Sequence, residues 1–328
     1  MAPNAFQYKL RQTADLIKKS RRIILACHMN PDGDAIGSLL ALGLGLKQLE
    51  KIICMLCPDP VPQRYLTLPG AYSIQQQYQD QADLAISVDC GSIIQLSSLE
   101  DVFERSKRII EIDHHLYRTR FGDVQLVDHS ACSVGEIIYQ LLLLLGIRLD
   151  KRIAECLMIS TLVETSSFSR QDIKPTTFDF CSQLMQLGIN FQNISERYYW
   201  RKKLCSVRLC GLCYERIIPR ANQQLVWSMI GEQDYKKFKG SQADVDCVAD
   251  EMMMIENVKV ALLFREIRGN MLRVSLRSRG RINIGYLASL YGGGGHRDVA
   301  GCRIHNSEKN LEKFINQACQ LIYHNHRY

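Results

Sequence analysis

Short, mainly apolar runs constrain this chain more than any other feature. Residues 22–27 (RIILAC), 52–56 (IICML), 84–88 (LAISV) and 108–112 (RIIEI) are such runs, and three of them end directly on His28, Asp89 and Asp113. Five or six residues suit a strand, and the lack of polar alternation means that both faces of the sheet are covered. Segments 7–20 before them, 35–49 between them, and 133–145, 151–161 and 176–187 after them carry helical spacing. Strands alternating with helices in this way predict an α/β fold, a parallel sheet flanked by helices.

The pattern changes near residue 190. The stretch 190–203 (NFQNISERYYWRKK) is polar and aromatic and reads as a connection. Beyond it, 204–217 and 282–291 read as helices, and 225–230, 258–266, 271–277 and 300–305 as strands, with a hairpin turn at Arg268-Gly269-Asn270. A chain of 328 residues can bury two cores. The expected division is a catalytic, metal-binding domain over 1–189, a linker over 190–203, and a smaller mixed-sheet α/β substrate-binding domain over 204–328, with the metal site at the inter-domain cleft.

Composition excludes rather than selects. Apolar residues at 46% and charged residues at 23% exclude a disordered or fibrous chain. A net charge of +7 is compatible with anionic substrates and equally with simple solubility. The 13 cysteines are odd in number and sit mostly inside apolar segments, as reduced, buried thiols do. Two CxxC spacings, Cys54–Cys57 and Cys210–Cys213, fall on a strand and in a helical run, which does not suit a zinc site on a tight turn. Residues 1–10 are polar, and no apolar stretch approaches the roughly 20 residues that cross a bilayer. The expected location is the cytoplasm, with no membrane partner.

In an open α/β sheet, functional groups collect at the carboxyl ends of strands. Here those ends carry His28, Asp32 and Asp34, then Asp89, then Asp113-His114-His115, while Glu164 follows a helical segment. Any one such Asp is usually a helix cap or turn former. Five carboxylates and three histidines on one sheet edge would repel one another without a cation. Carboxylate with imidazole suits Mn²⁺ before Mg²⁺, and the count exceeds the needs of one ion, so two divalent ions sharing a carboxylate are expected.

Four motifs in order carry a resemblance: HMNPDGDAIGS (28–38), VDCG (88–91), DHH (113–115) and GGGGHRDVAG (292–301). They resemble the signatures of DHH phosphoesterases with a DHH-associated C-terminal domain. Segments such as DPVPQRYLTLPGA (59–71) resemble the nanoRNase / pAp phosphatase branch. The resemblance implies that His28 and Asp32 hold one metal, that Asp34 and His114 hold the other, and that Asp89 bridges both. It implies Asp113 as the group orienting an imidazole, and His115 as a contact or proton donor at the scissile phosphate. Glu164 stands where that family has an aspartate, within ETSSF (164–168), and Ser166 where it has glycine. A second metal bound more weakly than the first is the expected consequence.

The glycine run has its own logic. Gly293, Gly294 and Gly295 let backbone amides approach an anion, His296 adds a donor, and Arg277 can fork onto a phosphate. The expected activity is hydrolysis of short single-stranded RNA, linear dinucleotides or 3′,5′-bisphosphate nucleotides (pAp to AMP and phosphate). A homodimer is compatible with this reading. Two alternatives stand beside it: a family II inorganic pyrophosphatase-like enzyme, and a nucleotide-binding member impaired in catalysis, for which Glu164 and Ser166 are the support.

Overall fold

The structure, a computed structural model, describes residues 5–324 except 117, 170–172 and 296. The chain divides into two compact units, Met1–Arg201 and Lys202–Tyr328. Among the described residues, no helix is long and apolar enough to cross a membrane.

The first unit runs α1 (Ala5–Lys19), β1 (Arg22–Cys27), α2 (Gly33–Leu46), β2 (Ile52–Leu56), β3 (Ile74–Gln75), β4 (Leu84–Val88), α3 (Glu100–Glu104), β5 (Ile109–Asp113), β6 (Val124–Val127), α4 (Val134–Leu144), α5 (Lys151–Glu164), α6 (Pro175–Gln186) and α7 (Phe191–Ser195). Its six strands pair in the order β3-β2-β1-β4-β5-β6, and every pairing is parallel. The apolar runs became the central strands because both sheet faces are packed. Ile23, Leu25 and Ile86 enter one core, and Ile24, Ala26 and Ala85 the other. β3 and β6 were not foreseen. Two and four residues at the sheet edges are too short for a periodic signal.

The strand order reverses between β1 and β4. An α/β sheet opens a crevice at such a switch point, beyond the carboxyl ends of its strands. His28 leaves β1 and Asp89 leaves β4 at that point, and Asp113 ends β5 beside them. The stretch read as a connection at 190–203 is more structured than its composition implied. α7 and a π-helical turn, Glu196–Trp200, follow one another, Ile194 is buried in the first unit's core and the Tyr198 ring stacks near Tyr65 at 6.2 Å.

Helix α2 is buried apart from Leu44 and, Asp34 and Ser38 aside, is apolar on every face, as a core helix must be. Asp32 caps it, accepting a hydrogen bond from the Ala35 N–H at 3.0 Å. Gly33 and Gly37, one turn apart, lie against α5. A Cβ on Gly37 would sit 2.5 Å from the Cys156 carbonyl oxygen, and one on Gly33 2.4 Å from Val163 Cγ2. Glycine therefore lets two helix backbones touch.

α5 ends in an irregular turn. Ser166, Ser167 and Phe168 all take positive φ, at 47°, 56° and 63°. The left-handed region costs a non-glycine residue about 1–2 kcal/mol. Hydrogen bonds from Ser167 N–H to the Leu162 carbonyl (2.8 Å) and from Phe168 N–H to Thr165 Oγ1 (3.0 Å) hold the turn.

The second unit runs α8 (Leu204–Glu215), β7 (Ile218–Arg220), β8 (Leu225–Ile230), α9 (Glu232–Phe238), α10 (Val248–Met252), β9 (Val260–Ile267), β10 (Met271–Ser278), α11 (Ile284–Ser289), β11 (Gly294–Gly295), β12 (Val299–His305) and α12 (Glu308–His324). Its mixed sheet has the order β11-β12-β10-β9-β8-β7, with only β8 and β9 parallel. The β9–β10 hairpin turns at Gly269 and Asn270, both at positive φ as the tight turn demands. α11 and α12 cover one sheet face through Leu287, Phe314 and Ile315. α8 and α10 cover part of the other through Leu209 and Val248.

Two substitutions test this packing. Gly37→Ala gains about 1 kcal/mol of helix propensity, but overpacking against a backbone costs about 1–3 kcal/mol or more. A net loss of about 1–2 kcal/mol is expected in the urea unfolding of the first unit. Gly211→Ala, on α8 with nothing within 4 Å of the added methyl, should gain up to about 1 kcal/mol instead. Ser166→Gly should stabilise by about 1 kcal/mol through relief of the left-handed φ, less the entropy that glycine adds to the unfolded chain. Unchanged or lower stability in that variant would show that the turn stores no strain.

Candidate metal centre

Asp34 is a carboxylate with no exposed surface. Its Oδ1 accepts from Ser38 Oγ at 2.9 Å and Ser160 Oγ at 2.7 Å, and its Oδ2 from the Val134 N–H at 2.9 Å. These donors come from α2, α5 and α4. Burial first, then the charge of Asp89, pushes the Asp34 carboxyl well above the usual carboxylate range.

Asp89, only 3% exposed, sits at φ 61°, a conformation Asp tolerates better than most residues. Around it stand His28, with Nε2 3.6 Å from Oδ2, and His114, with Nε2 3.9 Å from Oδ1. His115 places Nδ1 3.6 Å from the same Oδ1. The His114 Nε2 also lies 3.8 Å from Asp34 Oδ2 and 4.0 Å from Glu164 Oε1. Burial opposes charge on Asp89. The close His28 imidazole, followed by the charges of His115 and His114, outweighs it and holds the carboxyl below its ordinary value. The same pairing works in reverse on the imidazoles. Burial lowers His28, and Asp89 overrides it to about 10. Burial lowers His115, and Asp113 with Asp89 carries it to about 9.

Backbone carbonyls fix two of the rings. His28 Nδ1 lies 2.8 Å from the Met29 oxygen, and His114 Nδ1 lies 3.2 Å from the Ala131 oxygen. A proton on each Nδ1 turns the Nε2 lone pair toward the carboxylates, the orientation that metal-ligating histidines take from such partners. Asp113 does a related job, accepting from the His114 and His115 N–H groups and pairing with His115 Nδ1 at 2.6 Å.

Three ligand groups result, each with its donor atoms within 4.8 Å of one another: His28, Asp32 and Asp89; Asp34, His114 and Glu164; Asp89, His114 and His115. Asp89 and His114 each belong to two groups. The fit to a cation is testable on one atom. Asp89 Oδ1 is buried and has no hydrogen-bond partner, an expensive state for a carboxylate oxygen unless a cation takes that place. Nitrogen-to-oxygen gaps of 3.6–4.0 Å are too long for hydrogen bonds. They suit donors that share an ion. This mixed carboxylate–imidazole set is that of a divalent metal centre.

The structure thus brings together His28, Asp32, Asp34, Asp89, His114, His115 and Glu164. The remaining expected residues belong to the second unit. Arg277 on β10 donates through Nη2 to Asp250 Oδ2 at 3.1 Å, through Nε to Asp250 Oδ1, and through Nη1 to the Leu276 oxygen at 3.1 Å. Those three bonds leave two of its five N–H donors. Gly294 and Gly295 form edge strand β11 rather than an open loop. Glycine at 293 and 295 answers β12, because a Cβ there would meet the Gly301 oxygen at 2.2 Å or the Val299 oxygen at 2.4 Å. Gly294 has open space. His296 lies outside the described residues. Neither CxxC pair joins a metal-ligand group among the described residues: Cys54 faces Gln75, and Cys210 faces Cys247.

Several supporting residues were missed. Ser38 was within reach of sequence reasoning, lying four residues after Asp34 on one helix face. Ser160 was not. Neither was the buried pair of Glu111 with Arg118, whose guanidinium also reaches Asp113 Oδ2 at 3.4 Å. Glu111 interrupts an apolar strand and is satisfied by the Phe121 and Gly122 N–H groups at 3.0 and 2.6 Å.

Comparison with known proteins matches residues 22–161 to the DHH family, N-terminal domain, and residues 222–324 to the DHHA1 domain. A Thermus thermophilus protein named bifunctional oligoribonuclease and PAP phosphatase NrnA is 27% identical, over 90% of this chain and 88% of its own. Its Bacillus subtilis namesake is 26% identical, over 87% of this chain and 90% of its own. A solved exopolyphosphatase-related protein from Bacteroides fragilis superposes with a TM-score of 0.90 at 24% identity, covering 96% of both chains, and so shares the fold. With both domain models matched in order along most of its length, the chain carries a DHH family N-terminal domain in its first unit and a DHHA1 domain in its second.

Proposed function

We propose that this chain is a two-metal phosphoesterase that hydrolyses short RNA oligonucleotides and 3′,5′-bisphosphate nucleotides, pAp to AMP and phosphate among them, in the cytoplasm. The observation that carries the reading is the overlap of the ligand groups at Asp89 and His114. One ion would be held by His28, Asp32 and Asp89, the other by Asp34, Asp89, His114 and Glu164. Mixed imidazole and carboxylate donors favour Mn²⁺. The names of the two curated relatives, aligned along nearly their full lengths, support the substrate class.

When bound, two such cations lower the pKa of a water and neutralise charge building on the phosphoryl oxygens. The chain's own residues do the rest. Asp113 fixes the ring of His115 through Nδ1 and so presents it to the phosphate as a contact or proton donor. Asp34, gripped by two serines and a backbone amide, stays in place as charge changes around it. Arg277, held by Asp250, offers its remaining N–H donors to a substrate phosphate, and the glycines at 293–295 add backbone amides.

Two experiments test this. Calorimetric titration with Mn²⁺ should give two steps at least about tenfold apart. The longer arm of Glu164 and the strained turn after it make the second the weaker. Glu164→Gln should remove the weaker step alone, and Asp89→Ala should disrupt both. Two equal steps that are unchanged in Glu164→Gln would exclude it as a ligand. In a manganese-supplemented assay on pAp, pyrophosphate and RNA of two to five nucleotides, Asp89→Ala should lose turnover to background. Arg277→Ala should raise KM by about tenfold or more, with kcat nearly unchanged, as expected for a lost charge-assisted phosphate contact. Pyrophosphate as the preferred substrate, or equal loss of kcat in both variants, would overturn the assignment.

A further inference from the structure

The second unit contains a thiol cluster of its own. Cys210 on α8 and Cys247, which precedes α10, face each other with Sγ atoms 3.8 Å apart. Lys202 Nζ lies 3.5 Å from Cys247 Sγ and 2.7 Å from Glu251 Oε1. Cys210 is buried and Cys247 partly exposed. No other pair among the described cysteines combines a neighbouring thiol, a lysine ammonium and access to solvent. Cys27 and Cys57, which also interact, are both buried. Most of the remaining thiols are held protonated by burial, Cys90, Cys156 and Cys302 among them.

We propose that Cys247 and Cys210 form a peroxide-reactive dithiol, with Cys247 the attacking thiolate, Cys210 the resolving thiol and a small hydroperoxide the oxidant. The hydrogen bond shared with Cys210 comes first in favouring the Cys247 thiolate. The Lys202 ammonium follows, and together they exceed the opposing effect of burial. Cys247 Sγ attacks one oxygen of the hydroperoxide. The O–O bond breaks, the leaving oxygen takes a proton as water or an alcohol, and Cys247 becomes a sulfenic acid. Cys210 gives up its proton and its sulfur attacks Cys247 Sγ. The S–O bond breaks and a second water leaves. Two thiols lose two electrons in all, and the peroxide gains them. Closing the 3.8 Å gap to a bonded 2.05 Å asks for side-chain rotation between two elements that already touch. The disulfide would staple α8 to the start of α10 and remove the thiolate partner of Lys202.

The test is peptide mapping of the intact protein at pH 7. About one equivalent of hydrogen peroxide should give a Cys210–Cys247 disulfide that dithiothreitol reverses. Iodoacetamide should label Cys247 at least about tenfold faster than Cys54 or Cys319, two partly exposed thiols on which burial outweighs the nearby charge of Lys47 or Arg220 and favours the protonated form. In Cys210→Ser, dimedone should trap a sulfenic acid at Cys247, whereas Cys247→Ser should give neither product. The proposal is overturned if peroxide oxidises other cysteines first, or if Cys247 is alkylated no faster than Cys54 and Cys319. Both readings come from the unmodified sequence, so they stand whether or not either serine variant folds.

Discussion

A carboxylate wholly removed from water ties the first unit together. Asp34 draws one donor each from α2, α4 and α5, so three helices that meet nowhere in sequence converge on one side chain. Hydrogen bonds of this kind are worth about 0.5–1.5 kcal/mol each, and leaving any one buried donor unpaired would cost about 1–3 kcal/mol. The grip requires close helices. Glycine at 33 and 37 lets the α5 backbone come within contact of α2, and that approach puts Ser160 beside Asp34. The metal centre and the hydrophobic core therefore share one packing problem.

The electrostatics follow from that crowding. Asp34 is driven toward its protonated form while Asp89, flanked by three imidazoles, is driven the other way. Protons on the histidines offset part of the negative charge in the metal-free protein. A divalent cation held there would do the same work, and the unpartnered Asp89 oxygen would be available to it. The backbone is bent to the same end. Asp89 sits in the left-handed region directly after a fully buried strand, and that bend turns its carboxylate away from the strand and toward the histidines. The turn after Glu164 holds three successive residues in that region, a local strain offset by its own hydrogen bonds.

The second unit spends its polar residues differently. Arg265, Arg273 and Arg303 stand opposite one another on three neighbouring strands. Like charges in register are destabilising. Arg265 is neutralised by Asp246 and donates to Ser275 Oγ at 2.6 Å, while Arg273 and Arg303 are exposed. Arg277 is likewise paired, with Asp250. The cationic face is thus held in order by acids from the segments that cover its inner half.

Much of this was legible without coordinates. Apolar runs of five residues, read as strands covered on both faces, place His28, Asp89 and Asp113 at one sheet edge, because a parallel sheet aligns its strand ends. Charge repulsion then requires a cation there, and the order of the four motifs carries the family resemblance. Other features were not legible. Edge strands β3, β6 and β11 are too short to leave a period, and β11 in particular turns an expected glycine loop into a paired strand. The buried Glu111–Arg118 pair breaks the apolar pattern that sequence reading relies on. Ser160 is 126 residues from Asp34 and Cys247 is 37 from Cys210, and no local pattern links such distant positions. The sequence alone determined which residue types stand at the strand ends, since strand period and burial act locally along the chain. Only the tertiary structure decided which distant donors satisfy them, because that depends on how closely helices can pack, atom against atom.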